Sequence, residues 1–209
     1  MKTGSPSVMV VDDDSGVRNA MRALLKSVGL ESALFGSAQE FLATYKPEQP
    51  GCLLLDIRMP GMSGLELQQQ LNLRGAVIPV IFMSGHADIP MAVEAMQHGA
   101  FDFLQKPFRD QDLLDRIQRA IAKDVETRKS LGEHSRIKKH LESLTPRERE
   151  VLDLMTQGKQ NKTIGQDLGV SPRTVEIHRA RVMEKMNVQS VAELVRMMLD
   201  VAHGSPGPR

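Results

Sequence analysis

Through the first half of the chain, short aliphatic runs alternate with amphipathic stretches. Residues 8–11 are continuously apolar, and Val17, Ala20, Leu24, Leu25 and Val28 then recur at helical spacing, which predicts a strand followed by a helix. The same alternation predicts strands near 33–35, 53–57, 80–83 and 101–104, each followed by helical periodicity. Five such units predict an α/β fold, a doubly wound five-stranded parallel sheet with helices on both faces. Helix starts are marked by Asp14 as an N-cap and by the capping boxes Ser37-x-x-Glu40 and Ser63-x-x-Glu66, whose side chains satisfy the free amides of a first turn.

From Asp112 the pattern becomes wholly helical. Leu114, Ile117, Ile121 and Val125 fall on one face, followed by a charged stretch containing Gly132 and then by Ile137, Leu141 and Leu144. This predicts a helical linker, either continuous or broken at Gly132, whose narrow apolar seam suits a coiled-coil contact and a solvated helix equally. Beyond Leu144 the pattern predicts an all-α domain of four short helices, punctuated by Gly158, Gly169 and Asn187. Their starts include the box Thr145-Pro146-Arg147-Glu148, with proline at the first helical position, Ser171 before Pro172, and the box Ser190-x-x-Glu193. The domains are accordingly expected at 1–122 and 141–203, with the linker at 123–140 and a Gly/Pro-rich, disordered tail at 204–209.

The chain has 209 residues, 41% hydrophobic and 25% charged, enough for two ordinary domains. The net charge of +1 hides an asymmetry: residues 1–124 carry net −3 and residues 125–209 net +4, which suggests different partners for the two halves. The lone cysteine, Cys52, lies in the apolar run Cys52-Leu53-Leu54-Leu55 and is expected to be a small buried hydrophobe in a reducing compartment. No apolar stretch is long enough for a membrane helix, and an acidic triplet stands where a signal peptide would have its apolar core, so a cytoplasmic protein without membrane contact is expected.

In a doubly wound sheet the functional residues gather at the carboxyl ends of the strands. The first strand ends in Asp12-Asp13-Asp14, the third in Asp56, the fourth in Ser84 and the fifth in Lys106-Pro107. Carboxylates meeting at one edge repel unless a hard cation joins them, and Mg2+ takes oxygen ligands while keeping positions open for a phosphoryl group. Asp12, Asp13 and Asp56 are therefore candidate Mg2+ ligands, with Lys106 and Ser84 as candidate stabilisers of a transferring phosphoryl group. The bland alternative is that these are solvated Asp-rich turns.

The segments Val10-Val11-Asp12-Asp13-Asp14, Leu55-Asp56-Ile57-Arg58-Met59-Pro60-Gly61, Met83-Ser84-Gly85-His86 and Asp102-Phe103-Leu104-Gln105-Lys106-Pro107-Phe108 together resemble the receiver domain of two-component response regulators, a flavodoxin-like fold. The resemblance implies that Asp56 accepts a phosphoryl group from a sensor histidine kinase. It also implies that Asp12, Asp13, Asp56 and the backbone carbonyl of Arg58 hold Mg2+, that Ser84 moves to contact the phosphoryl oxygen, that Phe103 changes rotamer with it, and that the Lys106-Pro107 bond is cis. On sequence alone Phe103 reads as a core strand residue, and His86 and His98 as structural.

In the second half, residues 162–168, the turn Gly169-Val170 and residues 171–186 have the lengths of a helix-turn-helix unit. Val175, Val182 and Met186 should face its core, leaving Arg173, Glu176, Arg179, Arg181 and Lys185 outside, where arginine and lysine suit guanine edges and phosphates. Taken alone these could be ordinary solvated charges. The runs Leu144-Thr145-Pro146-Arg147-Glu148-Arg149-Glu150-Val151, Asn161-Lys162 and Ser171-Pro172-Arg173-Thr174-Val175-Glu176-Ile177-His178-Arg179 resemble the LuxR-type four-helix DNA-binding domain. That resemblance implies a base-facing surface at Glu176, Ile177 and Ala180, and DNA-backbone contacts at Lys162, Thr174, His178, Arg179 and Lys185. The whole chain thus resembles a FixJ-like regulator of the NarL/FixJ family. What this implies is a transcription regulator that binds double-stranded promoter DNA as a homodimer on phosphorylation and engages RNA polymerase directly. The rivals are a regulator indifferent to phosphorylation, a phosphorelay carrier, and a Mg2+-dependent phosphohydrolase. The last lacks a substrate-binding insertion and an extra acid/base, so a non-enzyme is expected.

Overall fold

A computed structural model of the chain describes residues 5–85 and 89–203. Two compact units result, one ending at Arg128 and the other starting at Lys129. The expected disordered tail at 204–209 lies outside the described residues, as does His86.

The first unit runs β1 (Ser7–Val11), α1 (Ser15–Ser27), β2 (Glu31–Phe35), α2 (Ala38–Thr44), β3 (Gly51–Asp56), α3 (Gly64–Leu73), β4 (Val80–Ser84), α4 (Ile89–Gln97), β5 (Asp102–Gln105) and the first half of α5 (Asp110–Glu142). The strands form one sheet in the order β2-β1-β3-β4-β5, every pairing parallel. Continuous apolar runs are what such a sheet requires, because both faces are covered. Alternate residues go to opposite sides. Met9, Val11, Leu53, Leu55 and Phe82 pack towards α2, α3 and α4, while Val8, Val10, Cys52, Leu54 and Ile81 pack towards α1 and α5. The chain steps outward from β1 to β2 and returns across β1 to β3, so the strand order reverses between β1 and β3, where Asp12 and Asp56 lie.

Asp14 caps α1 by accepting from the amides of Gly16 and Val17. Ser63 and Glu66 form the full reciprocal box at α3. At α2 and at α9 (Val191–His203) the box is displaced: Ser37 and Ser190 accept from the amides of Glu40 and Glu193, but those glutamates reach one residue further back, to the amides of Gly36 and Gln189.

Helix α5 decides one open alternative and corrects one expectation. It runs unbroken through Gly132, since a mid-helix glycine costs only about 1 kcal/mol against alanine and removes no hydrogen bond. Its buried line is Leu113, Ile117, Ala120 and Asp124, whereas Val125, expected on the packed face, is 50% exposed. The line tolerates a carboxylate at its end because Asp124 accepts from the Gly51 amide at 2.9 Å and from Arg128 Nε at 2.8 Å.

The second unit holds the end of α5, α6 (Pro146–Thr156), α7 (Asn161–Leu168), α8 (Pro172–Met186) and α9. Val175, Val182 and Met186 of α8 are buried as their spacing predicts, against Val151, Met155 and Ile164. The turn between α7 and α8 is tight enough that a Cβ on Gly165 would stand 2.8 Å from the Val170 carbonyl oxygen.

The capping box of α6 does more than cap. Glu148, 2% exposed, accepts from the Thr145 amide at 2.9 Å and from Lys185 Nζ at 2.7 Å, and Lys185 also donates to the Ser143 carbonyl. The Lys185 ammonium and the Thr145 amide pull the Glu148 carboxyl down to about 2. A depressed carboxyl stabilises the fold above its unfolded value and loses that contribution as pH falls through its folded value. Glu148→Gln should therefore lower the stability of the second unit at pH 7. The gap to wild type should close between pH 4.5 and about 2 in denaturant titrations monitored on this unit; a gap independent of pH would rule this account out.

Candidate functional site

Parallel pairing of β1 with β3 brings their carboxyl ends side by side, so Asp12 and Asp56 meet in a site where they are 1% and 8% exposed. Lys106, just beyond β5, places Nζ 2.8 Å from Asp12 Oδ2 and 2.8 Å from Asp56 Oδ1. The remaining oxygens are held too: Asp12 Oδ1 accepts from the Asp14 amide and Asp56 Oδ2 from the Arg58 amide. The Lys106-Pro107 bond is cis, as the resemblance implies. The Lys106 amide donates to the Ser84 carbonyl at 2.7 Å, which ties β5 to the end of β4, where the Ser84 side chain is buried. On the far side of Asp56, α3 comes so close that a Cβ on Gly64 would lie 2.3 Å from the Asp56 carbonyl oxygen.

Burial, reinforced by the neighbouring Asp12, raises the Asp56 carboxyl above its ordinary value and outweighs the Lys106 ammonium and the Arg58 amide. Burial also works against the charge on Lys106, but its hydrogen bonds to both carboxylates prevail and hold the ammonium above its ordinary value. The pocket is thus a carboxylate, made more basic and nucleophilic by burial, with a fixed cation beside it. That arrangement suits acceptance of a phosphoryl group.

Of the expected site residues the structure joins Asp12, Asp56 and Lys106 directly and puts Ser84 next to them. Asp13 is exposed at the rim, and Phe103, half-buried on β5, pairs in register with Phe82 of β4 and packs on the core. Among the described residues no three carboxylate, histidine or cysteine side chains are gathered as a metal cluster. The donor set of Asp12 and Asp56 is nevertheless all hard oxygen, as Mg2+ requires, with Lys106 bridging the two. The pattern of the sequence did not disclose Arg18, whose Nη1 donates to the Asp12 carbonyl at 2.6 Å. His98, one residue beyond α4, turns Nδ1 to the carbonyl of Glu94 within that helix.

On α8 the outward side carries Arg173, Glu176, Ile177, Ala180 and Arg181. Ile177 is 47% exposed, and the guanidinium of Arg173 lies 3.6 Å from the Glu176 carboxylate. Lys162 on α7 is exposed, His178 and Arg179 are half-buried, and Thr174 shares a hydrogen bond with the capping Ser171 hydroxyl. Lys185, expected as a DNA contact, has its ammonium engaged by the Glu148 carboxylate and the Ser143 carbonyl inside the unit.

A buried carboxylate suited to accept a phosphoryl group in one unit and a helix-turn-helix in the other are the arrangement expected of a DNA-binding response regulator. Residues 8–118 match the response regulator receiver domain and residues 142–198 the bacterial regulatory proteins of the luxR family. The chain is 47% identical to the transcriptional regulatory protein FixJ of Azorhizobium caulinodans, over 92% of this chain and 91% of that one. It is 46% identical to nodulation protein W of Bradyrhizobium diazoefficiens, over 91% and 84%. Among solved structures it resembles the response regulator StyR (TM-score 0.88, 46% identity, 94% of this chain and 99% of that one) and the FixJ-N structure (TM-score 0.54, 42% identity, 57% and 95%).

The chain therefore belongs to the NarL/FixJ family of two-component response regulators, and it is a phosphorylation-dependent, DNA-binding transcription regulator. Such a regulator receives its signal from a histidine kinase, and receiver domains of this kind bind Mg2+ at the phosphorylation site.

Removing the lysine should leave two buried carboxylates facing each other. Lys106→Met is expected to destabilise the receiver by about 2 kcal/mol at pH 7 in urea unfolding. Much of this should return in the double variant with Asp56→Asn, which removes one of the two repelling charges. A single variant as stable as wild type would contradict the bridging role.

Proposed function

We propose that Asp56 is the phosphoacceptor. The observation that carries this is the position of Lys106 Nζ, equidistant at 2.8 Å from Asp12 and Asp56 at the point where the strand order reverses. An Asp56 carboxylate oxygen attacks the phosphorus of the kinase's phosphohistidine, the P–N bond breaks, and the imidazole leaves with its electron pair and takes up a proton. Lys106 turns from the carboxylates to the phosphoryl oxygens, and Ser84 donates its hydroxyl to one of them. Asp12, Asp13, Asp56 and the Arg58 carbonyl would hold Mg2+, which supplies charge neutralisation when bound. Phe103 changes rotamer as Ser84 moves. Asp56 serves as an acceptor and not as the nucleophile of a turning-over phosphohydrolase, so small phosphate esters should not be hydrolysed catalytically.

The phosphorylated receiver self-associates through the surface around 91–103. Support comes from the outer side of α4, where Ile89, Val93 and Met96 are 74%, 49% and 47% exposed, an apolar run left open among the described residues. A twofold dimer lets two recognition helices address two half-sites. Glu176, Ile177 and Ala180 face the bases, and Lys162, Arg173, Thr174, His178, Arg179 and Arg181 line the duplex, the cations among them on phosphates and guanine edges. Bound there, the regulator recruits or occludes RNA polymerase. The cytoplasm is the compartment in which promoter DNA and a kinase's cytoplasmic domain meet; among the described residues no helix is long and apolar enough to cross a membrane.

Selection from random duplex DNA with Mg2+ and acetyl phosphate should enrich a motif of two related half-sites for wild type and not for Asp56→Asn. Equal enrichment by both would mean binding without regard to phosphorylation, and none by either would remove the DNA-binding reading. Light scattering with beryllofluoride should show the mass doubling; a mass that stays monomeric would sink the dimerisation step.

A further inference from the structure

At the end of the central strand β3 opposite the proposed phosphorylation pocket, the receiver holds a second buried charge. Asp124, in α5, is fully buried and accepts from the amide of Gly51, the first residue of β3, at 2.9 Å and from Arg128 Nε at 2.8 Å. Arg128, 19% exposed, passes its Nη1 to the Pro47 carbonyl at 2.5 Å. Tyr45, stacked on Phe41 with ring centroids 5.0 Å apart, brings its hydroxyl to the same cluster. One turn of α5 is thus fastened to the 45–51 segment by a carboxylate and a guanidinium.

An apolar side chain at 124 would simply extend the buried line of Leu113, Ile117 and Ala120. A buried ion pair is poor as a source of stability, because desolvation offsets most of the attraction, but it demands one geometry. Leucine can slide in a groove, whereas Asp124 must face the Gly51 amide and Arg128 must face the Pro47 carbonyl, so the pair sets the rotation and height of the helix on the sheet. The Tyr45 hydroxyl lies beside the Arg128 guanidinium, so the ring of Tyr45 and the pair shield one another from solvent. Both residues lie beyond the stretch that matches the receiver family, 8–118, at the root of the segment that leads to the second unit.

We propose that Asp124 and Arg128 form a clamp that holds the root of the linker helix to the receiver, and that the phosphoryl state of the receiver reaches the DNA-binding half only while this clamp holds. The inference rests on the phosphorylation-dependent reading given above and adds to it two positioning residues. They touch neither the phosphoryl group nor DNA. Gly51 and Asp56 are the two ends of the same buried strand, so a rearrangement at the pocket has a stiff connection to the clamp.

The test uses the full chain, with Arg128→Met and Asp124→Asn beside wild type. Three quantities are measured: the rate of labelling by acetyl phosphate, amide hydrogen exchange over residues 121–128, and the ratio of DNA affinities with and without acetyl phosphate. Labelling should stay within about twofold, because the pocket is at the other end of β3, while exchange over 121–128 should accelerate about tenfold. The affinity ratio should shrink by about fivefold or more, with Arg128→Lys, which keeps the charge on Asp124, falling between. An unchanged ratio despite faster exchange would overturn the coupling, and unchanged exchange would overturn the clamp. A ratio of one in wild type would instead show that the phosphorylation-dependent reading itself has failed, and the coupling with it. Should Arg128→Met not fold, as judged by loss of labelling, Arg128→Lys and Asp124→Asn decide by the same criteria.

Discussion

Two carboxylates at the ends of neighbouring parallel strands repel each other, and the lysine between them is what allows both to be buried. Lys106 satisfies Asp12 and Asp56 at 2.8 Å each, and the rest of the receiver is arranged to make that possible. The β1–β3 pairing sets the two aspartates side by side. The bond from the Lys106 amide to the Ser84 carbonyl fixes where the lysine starts from, and the close approach of α3 at Gly64 closes the site behind Asp56. On the proposed reading a phosphoryl group would bring new negative charge into this balance and draw Lys106 towards it, and Ser84 and β5, which are tied to the lysine, would feel the change.

The second unit relies on the same kind of interaction in a different role. Lys185 compensates the buried Glu148, and together with the Ser143 carbonyl the pair binds the end of α8 to the start of α6. Helix α8 is thereby held at its far end by an ion pair and at its near end by the Ser171 cap, while Val175, Val182 and Met186 fix its rotation. Arg173, Glu176, Ile177, Ala180 and Arg181 are left outward on a rigid element, which is what the proposed DNA surface would need. At the root of the linker Asp124 and Arg128 repeat the device a third time. In each case a buried carboxylate selects one geometry where apolar contact would accept several.

Much of this was legible in the residue pattern. Continuous apolar runs identified five parallel strands because a strand covered on both faces has no polar alternation to show, and each strand was located to within two residues of its observed bounds. Asp14, Ser63 and Thr145 were readable as caps because capping is local, needing only a side-chain oxygen three residues or fewer from a free amide. Strand order in a doubly wound sheet places the strand ends together, so Asp12, Asp56, Ser84 and Lys106 could be grouped before any distance was known.

Contacts that depend on which side chain reaches which distant backbone atom were not legible. By spacing Val125 belongs on the packed face of α5, yet it is exposed, because the helix is rotated so that Asp124 meets an amide 73 positions away in the chain. Lys185 has the composition and position of a DNA contact, and only the folding of α6 against α8 gives its charge to Glu148. Arg18 carries no pattern that announces its bond to the Asp12 carbonyl. The sequence by itself determined the elements, their order and the chemistry at the strand ends, because periodicity and capping are local and parallel topology is strongly constrained. Only the tertiary structure decided which charges are used internally and which remain for partners, because a charge is claimed by whatever the fold brings within about 3 Å of it.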